Sequence, residues 1–259
     1  MKRTVAVIPA RYDSSRFPGK ALAADTGRPL IVHVAQRVRL AETVQRVIVA
    51  TDDDRIRAAV EAHGVEAVMT GREHVNGTSR IAEIAPSIDA EFIVNVQGDE
   101  PEIDPHLIDL AVDVLAEHDE CPMSTVASPF ADDEDPADPN IVKVVVDRSG
   151  RALYFSRALI PFDRGGGSAR AKPQAAGGAK PQAAPLKHVG MYVYRRPFLD
   201  EYVRLEPTPL ERAERLEQLR VLEHGYDIAV AIGCAHHHGI DTPEQYAAFV
   251  KRCAAGERA

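Results

Sequence analysis

The sequence contains no tryptophan, few cysteines and no long apolar run. Its three cysteines, Cys121, Cys234 and Cys253, are far apart and lack Cys-x-x-Cys spacing, which argues against a disulfide framework or a cysteine zinc cluster. No window approaches the roughly 18 apolar residues of a membrane-spanning helix. The first apolar stretch is shorter than a signal-peptide core, and Arg11 follows it at once. We therefore expect a soluble, cytoplasmic protein that does not enter a membrane.

Positive charge is scarcer than negative charge. The chain has 31 Lys and Arg against 39 Asp and Glu, which gives a formal net charge of −8. This balance argues against a general nucleic-acid or membrane-surface binder, because both of those partners are anionic. A small anionic ligand would still bind where cationic side chains gather locally. The 259 residues, 45% of them hydrophobic, suit one large α/β domain or two small ones.

Two common nucleotide-binding motifs are also missing. A P-loop needs a glycine five residues before its Gly-Lys-Ser/Thr end, but here Gly19-Lys20 is followed by Ala21, and Ser14 occupies the first glycine position. No Gly-x-Gly-x-x-Gly occurs in the chain, which disfavours a dinucleotide-dependent dehydrogenase.

Short β-branched runs alternate with amphipathic helical patterns through the first half of the chain. The predicted strands are Thr4–Ile8, Arg46–Ala50, Glu66–Met69, Glu91–Val96 and Met123–Ala127. Helices are predicted from Pro29, after Asp52 as N-cap, near Thr78–Ala85 and from Asp104-Pro105. Strands that alternate with helices predict βαβ units, and hence an α/β fold with a mostly parallel, doubly wound sheet.

The second half of the chain does not continue the regular alternation of strands and helices. The predicted elements are an antiparallel hairpin (Ile141–Val146 and Ala152–Phe155), a strand (Lys187–Arg195), helices (Pro197–Val203 and Leu210–Glu223), a last strand (Asp227–Ile232) and a terminal helix capped by Thr242-Pro243. Residues Arg164–Pro185 contain AKPQAA twice, four cations and no acid. We interpret 164–185 as a flexible insertion, and both a lid and an inert loop remain open.

The loop after the first strand carries Arg11, Arg16 and Lys20 against one acid, Asp13. In open α/β sheets, ligands bind beyond the carboxyl ends of the strands. Backbone N–H groups and fixed cations at such a place are what a polyphosphate needs. The alternative is a solvated basic turn, and position and charge favour the phosphate site.

Two acidic residues come after later strands in the same way. Gly98 permits a sharp turn, after which Asp99 would project toward the crevice that holds the basic loop. Because a carboxylate repels a polyphosphate, Mg²⁺ between them is expected. Asp104-Pro105 is a better helix cap than Asp99, and Thr242 a better one than Asp241. Asp241 is thus free to be a second carboxylate ligand, although a structural turn remains the simpler interpretation.

Taken together, these motifs resemble those of the 3-deoxy-manno-octulosonate (Kdo) cytidylyltransferases, or CMP-Kdo synthetases. The resemblance rests on IPARYDSSRFPGK, VNVQGDEP, DPNIVKVV, ALYFSRALIP, HVGMYVYR, LERAERLEQLR and GIDTPE, in that order. It implies transfer of CMP from CTP to Kdo for lipopolysaccharide biosynthesis, Mg²⁺ as cofactor, and a homodimer. It also implies a Rossmann-like nucleotidyltransferase core, residues 1–130 plus 225–259, and a smaller α+β sugar-binding and dimerisation subdomain, residues 140–224.

The resemblance also implies roles for individual residues. Catalysis would involve Arg11, Lys20 and Asp99, and Mg²⁺ would bind Asp99 and Asp241. The nucleotide would be bound by Arg11, Ser15, Arg16, Lys20, Gly77, Arg80 and Asp99, with Arg80 reading the base. The sugar acid would be bound by Gln97, Arg157, His188, Tyr192, Glu217 and Gln218. Without the resemblance, we would interpret His188 as a residue packed within a strand. We would interpret Glu217 and Gln218 as part of a solvated helix face.

One segment departs from the family pattern. Asn76-Gly77-Thr78-Ser79-Arg80 stands where the family has Ser-Gly-Thr followed by an acid, and both substitutes can form hydrogen bonds. His236-His237-His238 is not expected to form a metal site, because adjacent loop residues rarely converge on one ion. The alternative functions are a CMP-synthetase for another 2-keto sugar acid, such as an amino-Kdo analogue or a nonulosonate, and a nucleotide-binding sensor without catalysis.

Overall fold

The computed structural model describes residues 2–14, 16–164, 184–235 and 239–256, and its strands form one nine-stranded sheet. The strands are β1 Thr4–Ala10, β2 Arg46–Thr51, β3 Glu66–Met69, β4 Phe92–Asn95, β5 Met123–Pro129, β6 Lys143–Val146, β7 Ala152–Ser156, β8 Leu186–Arg195 and β9 Ile228–Ile232. The main path runs β3-β2-β1-β4-β8-β5-β9. Neighbours on it are parallel except at β8, which is antiparallel to both β4 and β5. The predicted mostly parallel α/β sheet is confirmed.

Helices cover both faces of this sheet. They are α1 Leu30–Val38, α2 Asp54–Glu61, α3 Gly77–Ile84, α4 Pro105–Glu117, α5 Arg196–Tyr202, α6 Pro209–Glu214, α7 Gln218–Glu223 and α8 Pro243–Ala254. Because successive strand residues point to opposite faces, Ala6 and Ile8 of β1 pack with α1, α2 and α4, whereas Val5 and Val7 pack with α3, α5 and α7. Among the described residues, none of these helices has the length and apolar character that a membrane crossing requires.

Two of the predicted helix starts differ by one residue: Pro29 is the N-cap of α1 and not its first residue, and the cap of α2 also shifts. Asp104 and Thr242 cap α4 and α8 as predicted. The cap of α2 is Asp53 rather than Asp52, since the Asp53 carboxylate accepts the backbone N–H of Arg55 at 2.9 Å. Asp52 instead faces a buried cation. The prediction missed by one residue because two adjacent aspartates offer the same local signal.

The predicted division into a core and a subdomain differs from the structure. β8 falls within the range 140–224, yet it lies between β4 and β5 in the main sheet. Most of its residues from Val189 onward are buried because helices cover both faces of the sheet. The β6–β7 hairpin branches from β8, where Lys143 pairs with Lys187. Most of the predicted flexible insertion, residues 165–183, lies outside the described residues.

The predicted helix over Leu210–Glu223 is broken into α6 and α7. Arg215, at the break, has φ 55°, a left-handed conformation that a side chain rarely adopts and that cannot continue a helix. The break leaves Glu217 immediately before α7, where it faces a cavity at the carboxyl end of β1.

Replacing Asp104 with alanine should lower the free energy of unfolding by about 1 kcal/mol, the usual effect of losing an N-cap. The Asp104 carboxylate accepts the backbone N–H of His106 at 3.0 Å, and alanine leaves that donor unpaired. Urea denaturation followed by circular dichroism measures the change. Asp113→Ala, at an exposed position inside the same helix, is the control and should change stability by less than about 0.5 kcal/mol. Equal losses in the two variants would contradict the capping role.

Candidate active site

A polar cavity of about 380 Å³ lies where β1 and β4 end. Two glycines allow other segments to approach the end of β1. A Cβ on Gly77 would lie 2.9 Å from the Pro9 side chain, and one on Gly98 would lie 3.1 Å from the Pro9 carbonyl oxygen. Of the predicted site residues, the cavity is lined by Arg11, Arg16, Lys20, Gly77, Arg80, Gln97, Asp99, Glu217 and Asp241.

The ammonium group of Lys20 lies at the centre of the charged groups. Its Nζ donates to Asp99 Oδ2 at 2.9 Å, to the Ile240 carbonyl oxygen at 2.7 Å and to Asp241 Oδ1 at 3.3 Å. Arg16 contacts the other oxygen of Asp241 at 3.0 Å. The two acids that the sequence analysis assigned to Mg²⁺ therefore converge on one cation, although they come from distant parts of the chain.

Glu100 adds a third carboxyl group behind these two. Burial, together with the neighbouring Asp99 and Asp241, raises the pKa of Glu100 to about 8. A Cβ on Gly239 would lie 2.9 Å from Glu100 Oε1, so the chain before Asp241 packs directly against it. Hard oxygen donors concentrated at one point suit Mg²⁺. Sequence analysis missed Glu100 because nothing in the pattern distinguishes it from a solvated acid.

The basic loop is held from outside by an aromatic contact. Gly19 donates its backbone N–H to the Tyr12 carbonyl oxygen at 3.1 Å, which closes the loop. The guanidinium of Arg55 stacks on the Tyr12 ring, 3.4 Å from its centroid. Arg11 and Arg16 are exposed at the cavity mouth, whereas Ser15 lies outside the described residues. The loop thus presents cations to the cavity from a fixed backbone.

The segment Asn76–Arg80, which differs from the expected family pattern, still forms a capped start of α3. Asn76 is the N-cap, and its side-chain oxygen accepts the backbone N–H of Ser79 at 2.8 Å. Arg80 lies one turn further along and is nearly buried. Its guanidinium donates to Asp52 Oδ2 at 3.0 Å, to Gly71 O at 3.2 Å and to the Thr70 hydroxyl. Sequence analysis missed this role of Asp52, although its place after β2 was a usable signal.

Glu217 enters the cavity from the opposite side. Its Oε2 accepts hydrogen bonds from the hydroxyls of Thr78 at 3.1 Å and Tyr202 at 3.4 Å. Burial raises the pKa of this carboxyl group. Thr78 also lies 3.2 Å from the Tyr194 hydroxyl, so Glu217 is tied to α3 and β8 by a buried polar network.

Three predicted sugar-binding residues lie next to this network but do not line the cavity. The Tyr192 hydroxyl donates to Gln218 Oε1 at 3.0 Å, and the buried Gln218 Nε2 has no hydrogen-bond partner among the described residues. His188 lies with its ring centroid 5.5 Å from that of Tyr192. Its Nε2 is 2.8 Å from the Thr125 hydroxyl, and burial lowers its pKa to about 3, so the ring is neutral.

Arg157 is not brought into the cavity. Its Nε donates to the Glu214 carbonyl oxygen at 2.8 Å and its NH1 to the Pro139 carbonyl oxygen at 3.0 Å. The buried Lys143 fixes the same region, since its Nζ donates to the carbonyl oxygens of Arg157, Asp138 and Ile141. The expected carboxylate partner thus serves here as a link between main-chain segments. The histidines 236–238 lie outside the described residues.

Known proteins resemble this chain over nearly its whole length. A family model described as cytidylyltransferase matches residues 5–228. A 3-deoxy-manno-octulosonate cytidylyltransferase of Syntrophobacter fumaroxidans is 48% identical over 251 residues, 96% of each chain. One of Geobacter sulfurreducens is 50% identical over 238 residues, 92% of this chain and 94% of that protein.

Solved structures give the same result. A structure of CMP:2-keto-3-deoxy-manno-octonic acid synthetase complexed with CTP is 38% identical, covers 98% of this chain and 99% of that chain, and has a TM-score of 0.88. The inositol-1-phosphate CTP transferase of T. maritima, at 15% identity and a TM-score of 0.63 over 100% of this chain and 98% of that chain, shares the fold. From the family match and the near-complete coverage by relatives about half identical, the chain belongs to the cytidylyltransferase family.

Proposed function

We propose that this protein transfers CMP from CTP to 3-deoxy-manno-octulosonate, giving CMP-Kdo and pyrophosphate. The single observation that carries the proposal is the convergence of Lys20, Asp99 and Asp241 in a cavity rimmed by Arg11 and Arg16. The similarity to a synthetase complexed with CTP supports the nucleotide, and the names of the relatives support the sugar acid.

In the reaction, the anomeric hydroxyl oxygen of Kdo forms a bond to the α-phosphorus of CTP. The bond from that phosphorus to the oxygen bridging to the β-phosphate breaks, pyrophosphate leaves with its electron pair, and the hydroxyl proton passes to solvent. Negative charge spreads over the phosphate oxygens in the transition state, so fixed cations supply much of the catalysis. Arg11, Arg16 and Lys20, together with Ser15 from the same loop, would bind the phosphates.

Mg²⁺ is the proposed cofactor, with Asp99 and Asp241 as its ligands. Their convergence on Lys20 Nζ supports the assignment, as does the buried Glu100 behind them. When bound, the metal would neutralise charge on the phosphates and make the attacking hydroxyl more acidic. Lys20 would then be available to the phosphate oxygens.

The sugar acid would bind at the end of the cavity that holds Glu217. Gln97 and Glu217 line it directly, and the buried Gln218 amide, whose Nε2 has no partner among the described residues, would turn toward a sugar hydroxyl on binding. His188 and Tyr192 would support Gln218 from β8. Arg157 would reach the sugar carboxylate after giving up its hydrogen bonds to the carbonyl oxygens of Glu214 and Pro139. The product would serve lipopolysaccharide biosynthesis, and the enzyme would work in the cytoplasm, where CTP is available.

The direct test incubates the protein with CTP, MgCl₂ and Kdo and follows pyrophosphate release, with CMP-Kdo identified by mass spectrometry. Parallel reactions contain an amino-Kdo analogue or a nonulosonate in place of Kdo. Turnover with Kdo at the highest kcat/KM supports the proposal. Preference for another 2-keto acid, or CTP binding without turnover on any of them, overturns it in favour of a related synthetase or a sensor.

We also propose a homodimer. β7 is an edge strand that pairs with β6 in the sheet, and its Leu153 is 60% exposed. Phe162, a few residues beyond β7, is 87% exposed. Edge strands carrying large apolar side chains aggregate unless a partner covers them. A second copy of the chain packed on this hairpin would remove both from water.

Asp99→Asn should lower turnover by about 100-fold, which corresponds to about 3 kcal/mol of transition-state stabilisation lost with one metal carboxylate. Steady-state kinetics across a range of Mg²⁺ concentrations measures the loss. Asp113→Asn, at an exposed position on α4, is the control and should retain wild-type turnover. Turnover of Asp99→Asn near the wild-type value would exclude Asp99 as a metal ligand.

Glu217→Gln should raise the KM for Kdo about 10-fold or more and change the KM for CTP much less. The substitution keeps the shape but removes a buried carboxylate, and a charge-assisted hydrogen bond contributes about 1.5–3 kcal/mol. Both constants come from initial rates with one substrate saturating. Glu223→Gln, exposed on α7, is the charge-matched control. If both KM values rise equally, Glu217 acts on the whole cavity and not on the sugar.

Leu153→Lys should convert the dimer to monomers at micromolar concentration, because a charge at the centre of an apolar interface is costly to bury. Size-exclusion chromatography with light scattering measures the mass. Leu40→Lys, at a position 62% exposed, is the matched control and should leave the dimer intact. A dimer that survives Leu153→Lys places the interface elsewhere.

A further inference from the structure

Asp52 occupies a place in the structure that helix capping does not explain. It comes directly after β2, while the adjacent Asp53 caps α2. The side chain of Asp52 is only 16% exposed and lies 3.0 Å from Arg80, whose side chain is 5% exposed. Burying an ion pair is costly, so such a pair is weak evidence for stability. We therefore explain the burial of the Asp52–Arg80 pair by a role in the neighbouring cavity and not by its contribution to stability.

Arg80 is held by groups from the ends of two neighbouring strands. Asp52 comes after β2, and Thr70 and Gly71 come after β3; together they fix both terminal nitrogens of the guanidinium. Arg80 still lines the cavity. A guanidinium fixed in this way loses little further conformational freedom when a ligand binds.

The two faces of α3 separate the two ends of the cavity. Thr78 and Arg80 are two residues apart, about 200° around a helix, so they point to opposite sides. Thr78 faces β8 and Glu217, whereas Arg80 faces β2 and β3. In the sheet, β1 and β4 lie between these two sides, and the Lys20–Asp99 contact lies beyond their ends. With phosphates at the centre and sugar beside Glu217, the nucleoside extends toward Arg80.

The hydrogen-bonding groups of the bases explain why the end of the cavity at Arg80 would prefer cytosine to uracil. Arginine is a pure hydrogen-bond donor. The pyrimidine edge of cytosine offers two acceptors, O2 and N3, whereas N3 of uracil carries a hydrogen. A correctly oriented guanidinium therefore favours cytosine, and a misdirected one loses this discrimination.

We propose that Asp52 is a positioning residue that orients Arg80 toward the nucleotide and thereby sets affinity and selectivity for CTP. The proposal rests on the proposed function for the placement of the nucleoside. Asp52 itself does not contact the ligand. A second acid near Arg80 is Glu83, which is held by His74 and the Gly71 backbone N–H.

The test is a double-mutant cycle with Asp52→Asn, Arg80→Gln and the double variant. For Asp52→Asn we expect the KM for CTP to rise about 5- to 10-fold, with kcat at saturating CTP and the KM for Kdo within about 2-fold of wild type. The ratio of kcat/KM for CTP to that for UTP should fall. The double variant should have the same KM for CTP as Arg80→Gln alone.

Asp53→Asn is the matched control, since it removes the adjacent carboxylate while asparagine keeps the N-cap of α2, and it should leave both Tm and the KM for CTP near wild type. Asp52→Glu restores the charge and should recover part of the selectivity. The proposal is overturned if the two substitutions are additive in KM, if selectivity is unchanged, or if kcat and both KM values change together with Tm. Where Asp52→Asn folds poorly, Asp52→Glu is compared with the wild type and with Arg80→Gln instead, and its selectivity for CTP over UTP should lie between theirs.

Calorimetric titration with CTP alone separates this proposal from the proposed function. Weaker CTP binding in Asp52→Asn supports the positioning role even if the wild-type enzyme prefers a sugar acid other than Kdo. Absence of Kdo turnover in the wild type, with normal CTP binding and the expected Asp52 effect, refutes the sugar assignment alone.

Discussion

The site depends on one ammonium group. Lys20 Nζ joins the loop after β1 to Asp99 after β4 and to Ile240 and Asp241 before α8, segments separated by 79 and about 220 residues. None of these contacts can form in a local segment, so the site exists only once β1 and β4 have paired and α8 has docked. A Cβ on Gly98 would lie only 3.1 Å from the Pro9 carbonyl oxygen, so the glycine lets this segment pass close to the end of β1, where Asp99 reaches the cation. The catalytic geometry is therefore a consequence of sheet pairing.

Charge is arranged in layers around that group. The chain is acidic overall, at −8, yet exposed Arg11 and Arg16 stand at the cavity mouth, with Asp99, Asp241 and buried Glu100 beneath them. Cations at the entrance attract polyanionic ligands, and in the proposed mechanism the acids below them would hold a divalent cation. Burial first, and then the neighbouring Asp99 and Asp241, raise the pKa of Glu100.

The sequence predicts where strands end and which residues come next, but not contacts between distant side chains. Alternating strands and helices put Lys20 and Asp99 on the same edge of the sheet, because parallel strands end together. The sequence could not place β8 in the main sheet, since pairing order is not encoded in local periodicity. It also predicted one helix through Arg215, because a left-handed arginine has no local signature. Asp52 and Arg157 were misjudged for the same reason, as their partners lie 28 and 57 residues away.

Helix α3 links the two ends of the cavity through a rigid element. At its start, Gly77 packs closely against Pro9. The Thr78 hydroxyl contacts Glu217 on one side, and Arg80 contacts Asp52 on the other. The distance between the Glu217 end and the Asp52 end of the cavity is thus set by less than one helical turn. Asn76 and Ser79 differ from the family pattern but keep this turn capped through a 2.8 Å hydrogen bond. The fold must preserve the position of the first turn of α3, and different capping residues can meet that requirement.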